Sequence, residues 1–297
     1  MKGHPIARAS NQEVGMKKIL LALLTCLAMI FAFTACGSSE EEATTEENTE
    51  VIVFAAASMQ SSLEELEASF EAENPDVDVV LNCDSSGTLQ EQIMEGAPCD
   101  IFFSAAQKNM DALEEEGLVV EGTRSNVLNN QLVVITQPDS ETKVTGIENL
   151  GDAESIALAD GSVPVGKYTR RALMNLGVLP EVEDPAVYTT QEVSDALGGV
   201  EISEQGNVSK VLSAVQEGSS EVGTVYLSDT YGQEDTVKIL QTVSYDVAGD
   251  IIYPIAQIVN QDADDAENEA AAAVLEYLTN DNAKSVYETH LFDIDVE

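Results

Sequence analysis

Apolar and polar residues follow two periods along the chain from residue 51 onward, and the two periods alternate. Short apolar runs rich in β-branched residues predict strands. These runs lie at 51–57, 77–82, 100–105, 131–136, 155–160, 186–190, 221–228 and 250–259. Between them apolar residues recur at helical spacing, as Leu63, Leu66 and Phe70 do among glutamates.

Helices are predicted between these strands. One follows Ser58, and the others lie at 88–94, 107–117, 167–177, 208–216, 264–279 and 281–289. Alternation of strands with helices is typical of a parallel sheet covered by helices, so the predicted fold class is α/β. The strand at 131–136 is expected to leave a first domain, because a second α/β series follows it.

The N-terminal segment carries a predicted export signal. Met16 and two lysines precede an apolar run from Ile19 to Phe33 and then small residues, which is the pattern of a secretory signal peptide. Residues 33–36 resemble a bacterial lipobox, in which Cys36 becomes the lipidated first residue; an ordinary signal with a chance cysteine is the alternative. Residues 1–15 do not fit the signal, so Met16 rather than Met1 is the expected start. We therefore assign 1–35 to leader and signal peptide, and 36–50 to an acidic tether.

The charge of the chain excludes one class of partner. Residues 36–297 contain 9 Lys and Arg against 53 Asp and Glu, a formal charge of about −44. Nucleic acid is therefore not an expected partner, because its phosphates would be repelled. The same charge keeps an exported protein soluble.

Two cysteines, Cys83 and Cys99, lie in the part of the chain expected to fold. An oxidising exterior would permit a disulfide between them. Each lies next to a predicted strand, so a Cys83–Cys99 disulfide is possible. The distance between the two residues in the fold decides whether it forms.

Three predicted strand-to-helix junctions are short, polar and rich in small residues. They are Ala57-Ser58-Met59, the stretch around Ser85-Ser86-Gly87, and the loop from Ala159 to Tyr168. In open α/β sheets ligands bind at such junctions, where free amides and the positive end of a helix suit an anion. The alternative is structural, since Ser58 and Ser86 could only cap helices and the loop could be a simple turn.

In order along the chain, the segments VFAAAS, SSGTLQEQIMEGAPCDIFFSAAQKNMDAL, VPVGKYTRRAL, GNVSKVLSAVQEG and VGTVYLSD resemble those of molybdate-binding proteins, the extracytoplasmic receptors of molybdate ABC transporters. The resemblance runs from about residue 51 to the C-terminus. It implies a type II periplasmic-binding-protein fold, in which two α/β lobes with mixed sheets are joined by a crossover hinge. Lobe 1 would comprise 51–131, completed by about 250–297, and lobe 2 would comprise 132–249.

The resemblance also implies a set of ligand-binding residues. The family's two serines fall on Ser58 and Ser86, its backbone amide donors on Val165 and Val208, and its tyrosine on Tyr226. Val193 competes with Val208, which we prefer because its spacing to Tyr226 fits without a gap. In this interpretation Ser58 both caps a helix and binds the anion, and the alanines before it leave room for the ligand.

The chain departs from the family in three places. Asp160-Gly161 replaces a common Asp-Pro in a loop that is one residue shorter, 197–205 resembles an insertion, and Cys99 stands where alanine is more usual. The first two departures affect the lobe 2 donors.

The function implied by the resemblance is capture of molybdate, and of tungstate, outside the cytoplasmic membrane. Such a receptor needs no cofactor, and no side chain is a direct metal ligand, because molybdenum enters as its oxyanion. Its partners would be a permease with its ATPase and, through a lipid anchor on Cys36, the membrane; the receptor itself would be a monomer.

Three other functions are weighed against this one. A receptor for phosphate or sulfate is the first, and a protonated phosphate would require an acceptor such as Asp84 or Asp160. An enzyme is not expected, because His290 is the one histidine after residue 36 and neither Ser58 nor Ser86 lies in a nucleophile elbow. A lipoprotein adhesin would account for the tether alone.

Overall fold

A computed structural model describes residues 48–296, and residues 46–297 form one compact unit. The unit contains two five-stranded sheets, each with parallel and antiparallel pairs. The fold is therefore α/β with mixed sheets, as the sequence predicts. The signal peptide, Cys36 and the acidic tether fall on residues outside this description, except for the last residues of the tether.

The first sheet, in lobe 1, has the strand order β2-β1-β3-β10-β4. Strands β1, β2 and β3 are parallel, and β10 runs antiparallel to β3 and β4. Its strands are β1 (Thr49–Ala56), β2 (Val77–Asp84), β3 (Ile101–Phe103), β4 (Ser125–Leu128) and β10 (Tyr253–Gln257).

The second sheet, in lobe 2, has the order β7-β6-β8-β5-β9. Strands β6, β7 and β8 are parallel, and β5 runs antiparallel to both β8 and β9. Its strands are β5 (Leu132–Thr136), β6 (Ser155–Ala159), β7 (Glu201–Gln205), β8 (Val222–Tyr226) and β9 (Lys238–Thr242).

Helices cover the faces of these sheets. They are α1 (Gln60–Glu73), α2 (Ser86–Met94), α3 (Gln107–Glu115), α4 (Pro164–Asn175), α5 (Thr190–Ala196), α6 (Val208–Gln216), α7 (Tyr245–Ala248), α8 (Asp265–Thr279) and α9 (Asp281–Thr289). Lobe 1 is covered on both faces, so its inner strands are apolar on both sides rather than alternating. Val53 faces the cluster that contains Leu63 of α1, whereas Phe54 faces the cluster that contains Leu89 of α2.

The chain crosses between the two sheets twice, after β4 and after β9. The two crossing segments are bonded to each other, because the amide of Ile251 donates to Asn129 Oδ1 at 2.8 Å. Beside them, Asn130 Nδ2 donates to Ser228 Oγ at 2.9 Å and to the Tyr253 hydroxyl at 3.1 Å. Asn129 thus satisfies a buried backbone amide, and Asn130 links two buried hydroxyls, where the chain leaves one sheet for the other.

Two predicted strands differ from the structure, and a further strand forms where none was predicted. No strand forms at 186–190, because a 3₁₀ turn begins at Pro185 and Thr189 caps α5 with Glu192 in a capping box. Strand β10 is only five residues long, much shorter than the predicted 250–259. The segment interpreted as an insertion contains β7, an edge strand whose side chains are mostly exposed, and polar edge strands carry little periodic signal.

The possible disulfide between Cys83 and Cys99 is wrong, because both cysteines are free thiols. They belong to different faces of the first sheet: Cys83 packs against the cluster under α1, whereas Cys99 is buried in the cluster under α2. A sheet therefore separates the two side chains. Burial raises the pKa of the Cys83 thiol to about 12 and also raises that of Cys99, so both remain protonated at neutral pH.

A helix that crosses a bilayer must be both long enough and apolar enough. None of the helices within residues 48–296 meets both conditions for a membrane span.

Candidate functional site

A small cavity lies between the two lobes. Lobe 1 lines it with small or hydroxyl side chains and one acid, and lobe 2 with apolar side chains and one tyrosine. The lining residues are Ala56, Ala57, Ser58, Asp84, Ser85, Ser86 and Ala105 from lobe 1, and Val163, Pro164, Val165, Val208 and Tyr226 from lobe 2. The structure thus brings all five predicted binding residues to one cavity, whose lining contains no lysine or arginine.

Three helices begin at this cavity: α2 at Ser86, α4 at Pro164 and α6 at Val208. The first amides of a helix have no acceptor within the helix, and the helix dipole places positive potential there. Val165 and Val208 are among these first residues, so their amides are available to an anion. Val193, the competing residue, is buried within α5 and does not line the cavity.

Ser58 lies in a 3₁₀ turn from Ala57 to Met59, directly after β1. The prediction that it caps a helix is wrong, because no side chain caps either this turn or α1. Its Oγ is instead 2.8 Å from the Tyr253 hydroxyl, and the Ser58 side chain is buried. Ala56 and Ala57, which precede it, also line the cavity.

Ser86 is the first residue of α2, and its neighbour Ser85 is the cap. Ser85 Oγ accepts from the Thr88 amide at 3.2 Å, so the capping role considered for Ser86 belongs to Ser85. Ser86 Oγ accepts from the Ala105 amide at 2.9 Å. A hydroxyl can donate and accept together, so this bond fixes the oxygen and leaves its proton for a ligand.

The Tyr226 hydroxyl is the most informative group in the cavity. Tyr226 is the last residue of β8 and is 2% exposed. Its hydroxyl oxygen has no hydrogen-bond partner among the residues that the structure describes. Its ring packs edge-on against Tyr253, with centroids 6.1 Å apart. Burial raises the pKa of Tyr226 well above its usual value, so the hydroxyl keeps its proton and can donate it.

The loop before α4 is held by a buried arginine. Arg170 is fully buried, and its Nη1 donates to the carbonyls of Ala159 and Gly166, each at 2.9 Å. Its Nε donates to the Tyr188 carbonyl at 2.9 Å. These bonds fix the start of α4, and with it the amide of Val165.

Gly166 is required by the same packing. A Cβ at this position would overlap the carbonyl oxygens of Asp160 and Ala159. We expect Gly166→Ala to lower the free energy of unfolding by about 1–3 kcal/mol, the usual cost of overpacking, and to displace the Val165 amide.

Urea unfolding would measure this effect. Gly206→Ala is a matched control, because its nearest neighbour would be Lys210 Nζ at 3.6 Å, so its unfolding free energy should hardly change. Equal costs for the two variants would contradict the proposed overlap.

The two acids considered as acceptors occupy different places. Asp84 lines the cavity, whereas Asp160 does not. Asp160 Oδ1 accepts from the side chain of Ser162 at 2.6 Å and from its amide at 2.9 Å, and the side-chain bond lowers the pKa of Asp160 against the opposing effect of burial. Only Asp84 could therefore contact a ligand in the cavity.

Asp229 lies three residues after Tyr226 and should make the free energy of unfolding depend on pH. Its Oδ2 accepts from the Tyr226 amide at 2.8 Å, and burial raises its pKa from 3.8 to about 7. The unfolded chain ionises near pH 4, whereas the folded protein holds this proton until about pH 7. The contribution of Asp229 to the free energy of unfolding should therefore fall as pH rises from about 4 to about 7 and then level off.

Asp229→Asn keeps an acceptor for the Tyr226 amide but cannot ionise. The fall that Asp229 causes should therefore be absent from this variant. Its free energy of unfolding should increase relative to that of the wild-type protein as pH rises from 4 to 7. Chemical unfolding at several pH values would measure both curves. Parallel curves for the two proteins would rule out Asp229 as their cause.

Several functional neighbours were not predicted from the sequence. Tyr253 bonds Ser58 from the far end of the chain, and its only signal is a tyrosine in an otherwise apolar strand. Asn207 caps α6, with its Oδ1 accepting from the Lys210 amide at 3.0 Å, and an asparagine before a helix is a usual capping signal.

Elsewhere in residues 48–296, no group of three or more His, Cys, Asp or Glu side chains is placed to hold a metal ion. His290 is buried, and its Nε2 is 2.9 Å from Glu65. It does not line the cavity, so it cannot act as a base on a ligand there.

Comparisons with known proteins agree with this architecture. Residues 51–293 match the family described as bacterial extracellular solute-binding protein. YvgL of Bacillus subtilis (strain 168), described as an ABC transporter substrate-binding lipoprotein, is 30% identical over 275 residues, covering 92% of this chain and 96% of YvgL. The molybdate-binding protein ModA of Escherichia coli (strain K12) is 31% identical over 255 residues, covering 82% of this chain and 89% of ModA.

A solved structure is similar as well. A substrate binding domain from Clostridium difficile, described as that of a molybdenum ABC transporter, superposes with a TM-score of 0.60 at 31% identity. The match covers 84% of this chain and 99% of that domain. The fold is thus of the periplasmic-binding-protein type, with two α/β lobes.

Proposed function

The chain belongs to the family of bacterial extracellular solute-binding proteins and is related within it to molybdate-binding proteins; from that membership we propose that it binds molybdate. The observation that carries the proposal is the Tyr226 hydroxyl, which is buried at the cavity without a partner among residues 48–296. A tetrahedral oxyanion would supply the missing acceptor. Ser58, Ser86, Val165 and Val208 would donate to its other oxygens.

Donors without formal charge suit this ligand for a physical reason. Near neutral pH molybdate offers only acceptors, so every group around it must donate. Hydroxyls and helix amides are held in place by the fold and need not be stripped of water as lysine or arginine would be. Their alignment strengthens hydrogen bonds to a charged acceptor.

The proposal extends to tungstate and to transport. Tungstate has nearly the size and charge of molybdate, so the same donors would bind it. As a monomer without a cofactor, the receptor would deliver its ligand outside the cytoplasmic membrane to a permease driven by an ATPase. A lipid anchor on Cys36, followed by the acidic tether, would hold it near that permease.

One observation favours a second ligand class. Asp84 lines the cavity, and its carboxylate can accept a hydrogen bond from the hydroxyl that hydrogen phosphate carries and molybdate lacks. A phosphate receptor with the same fold is therefore the alternative. Sulfate carries no proton near neutral pH, so Asp84 would not favour its binding. The cavity would distinguish sulfate from molybdate by its smaller size.

Calorimetric titration of residues 46–297 with molybdate, tungstate, sulfate and phosphate would test the proposal. We expect binding of molybdate and tungstate and none of sulfate or phosphate. Phosphate or sulfate binding alone would retain the receptor and change its ligand. If none of the four ions binds, the proposed ligands are excluded and the adhesin becomes the leading function.

A further inference from the structure

Asp84 and Asn207 join the two lobes directly beside the cavity. Asp84 is the last residue of β2, where it pairs with Ala56 of β1, and Asn207 immediately precedes α6 in lobe 2. Asn207 Nδ2 donates to Asp84 Oδ1 at 2.8 Å, and we call this contact the Asp84–Asn207 bridge. The same Oδ1 accepts from the Ser85 amide at 2.7 Å.

Each end of the bridge also orders a helix that begins at the cavity. On the lobe 1 side, Asp84 holds the Ser85 amide, Ser85 caps α2, and Ser86 follows as the first residue of that helix. On the lobe 2 side, Asn207 caps α6 through its Oδ1, and Val208 follows as the first residue. The bridge therefore fixes the separation between two of the proposed anion donors.

A second polar link between the lobes is placed differently. Lys108 Nζ lies 2.7 Å from Asp184 Oδ2, but the lysine side chain is 67% exposed and the pair lies away from the cavity. Exposed ion pairs contribute little, because water and salt screen them. The Asp84–Asn207 bridge instead lies at the cavity itself and is formed by two short side chains, which lose little freedom.

The carboxylate of Asp84 would repel a bound anion. Its presence beside a cavity lined by hydrogen-bond donors therefore calls for a role that offsets this repulsion. We propose that Asp84 and Asn207 are positioning residues that hold the lobes closed over the bound ion and slow its release. The inference rests on the proposed oxyanion binding. It assigns closure to side chains that do not themselves need to contact the ligand.

Two neutral substitutions of Asp84 isolate the bridge. Asp84→Asn can still accept from Asn207 and from the Ser85 amide, whereas Asp84→Ala cannot, and both lack the charge. Residues 46–297 contain no tryptophan and eight tyrosines, so tyrosine emission is not masked, and the change that Tyr226 at the cavity contributes to it can report molybdate release in stopped flow. We expect release from Asp84→Ala to be about 3–10 times faster than from Asp84→Asn, the effect of one net hydrogen bond, with similar association rates.

Asn207→Ser tests the other end. Serine can still cap α6 but is too short to reach Asp84, so helix stability should be retained while release becomes faster. In a double-mutant cycle, Asp84→Ala should accelerate molybdate release much less in the Asn207→Ser protein than in the wild-type protein. Additive effects, or equal release from Asp84→Ala and Asp84→Asn, would overturn the bridge.

A ligand-free measurement separates this inference from the proposed function. Small-angle X-ray scattering of the same variants should give a larger radius of gyration for Asp84→Ala than for Asp84→Asn, because the lobes separate more often without the bridge. If the wild-type protein binds none of the four oxyanions, the proposed function fails while scattering still decides the bridge. Equal radii in that case would refute the bridge as well.

Discussion

Replacing Tyr226 by phenylalanine is expected to change ligand affinity and protein stability in opposite directions. The hydroxyl is buried without a partner among residues 48–296, so its removal from the ligand-free protein should raise the free energy of unfolding by up to about 1 kcal/mol. With molybdate present the same hydroxyl would bond a charged acceptor, a bond of about 1.5–3 kcal/mol. Affinity should therefore fall by about 10- to 150-fold.

Tyr253→Phe is the matched control. Its hydroxyl bonds Ser58 Oγ at 2.8 Å and Asn130 Nδ2 at 3.1 Å, so the same chemical change should lower the free energy of unfolding by about 1–2 kcal/mol. Urea unfolding and calorimetry on both variants would separate the two tyrosines. A Tyr226→Phe protein that is less stable than wild type and binds molybdate normally would show that the hydroxyl serves the fold and not the ligand.

Ser86→Ala is expected to have the second large effect. The variant loses a donor to the ion, and it also leaves the buried amide of Ala105 without the acceptor it has at 2.9 Å. The lost bond to a charged acceptor alone corresponds to about 10- to 150-fold weaker binding. The stranded amide should lower the free energy of unfolding by about 1–3 kcal/mol.

Ser62→Ala controls for the loss of a buried serine. Ser62 Oγ donates to the Met59 carbonyl at 2.9 Å in the same lobe, away from the cavity, and a carbonyl retains other possible donors. Its molybdate affinity should equal that of the wild-type protein in the same calorimetric titration. If Ser62→Ala and Ser86→Ala weaken binding equally, the loss would reflect lobe 1 stability and not a contact at the ion.

The sequence was most informative where apolar runs are buried on both sides. Strands β1, β5 and β8 lie in the sheets close to their predicted places, because their continuous apolar runs can pack only in a covered sheet. Strand β7 was not predicted, since its alternation of glutamate with isoleucine and serine belongs to an exposed edge. Residues 186–190 contain the β-branched side chains typical of a strand, but Thr189 and Glu192 form a capping box that starts α5 there.

The candidate site shows a similar division. Local signals at strand ends and helix starts marked the junctions that contain Ser58, Ser86 and Val165. The resemblance to molybdate-binding proteins named the individual residues, including Val208 and Tyr226, and their binding roles stay predictions. The partners of those residues could not be named. Tyr253 lies 195 positions from Ser58, and Asn207 lies 123 positions from Asp84. Such pairs are set by the crossing of the chain between the lobes, which no local pattern encodes.

The free thiols described above have a consequence for how the protein tolerates its surroundings. Because Cys83 and Cys99 lie on opposite sides of a sheet, the described fold relies on packing and hydrogen bonds instead of covalent cross-links. Its stability should therefore be independent of the ambient redox potential, and refolding should proceed as well with a reductant as with an oxidant. A receptor of this kind would work unchanged in oxygen-free and in aerated surroundings.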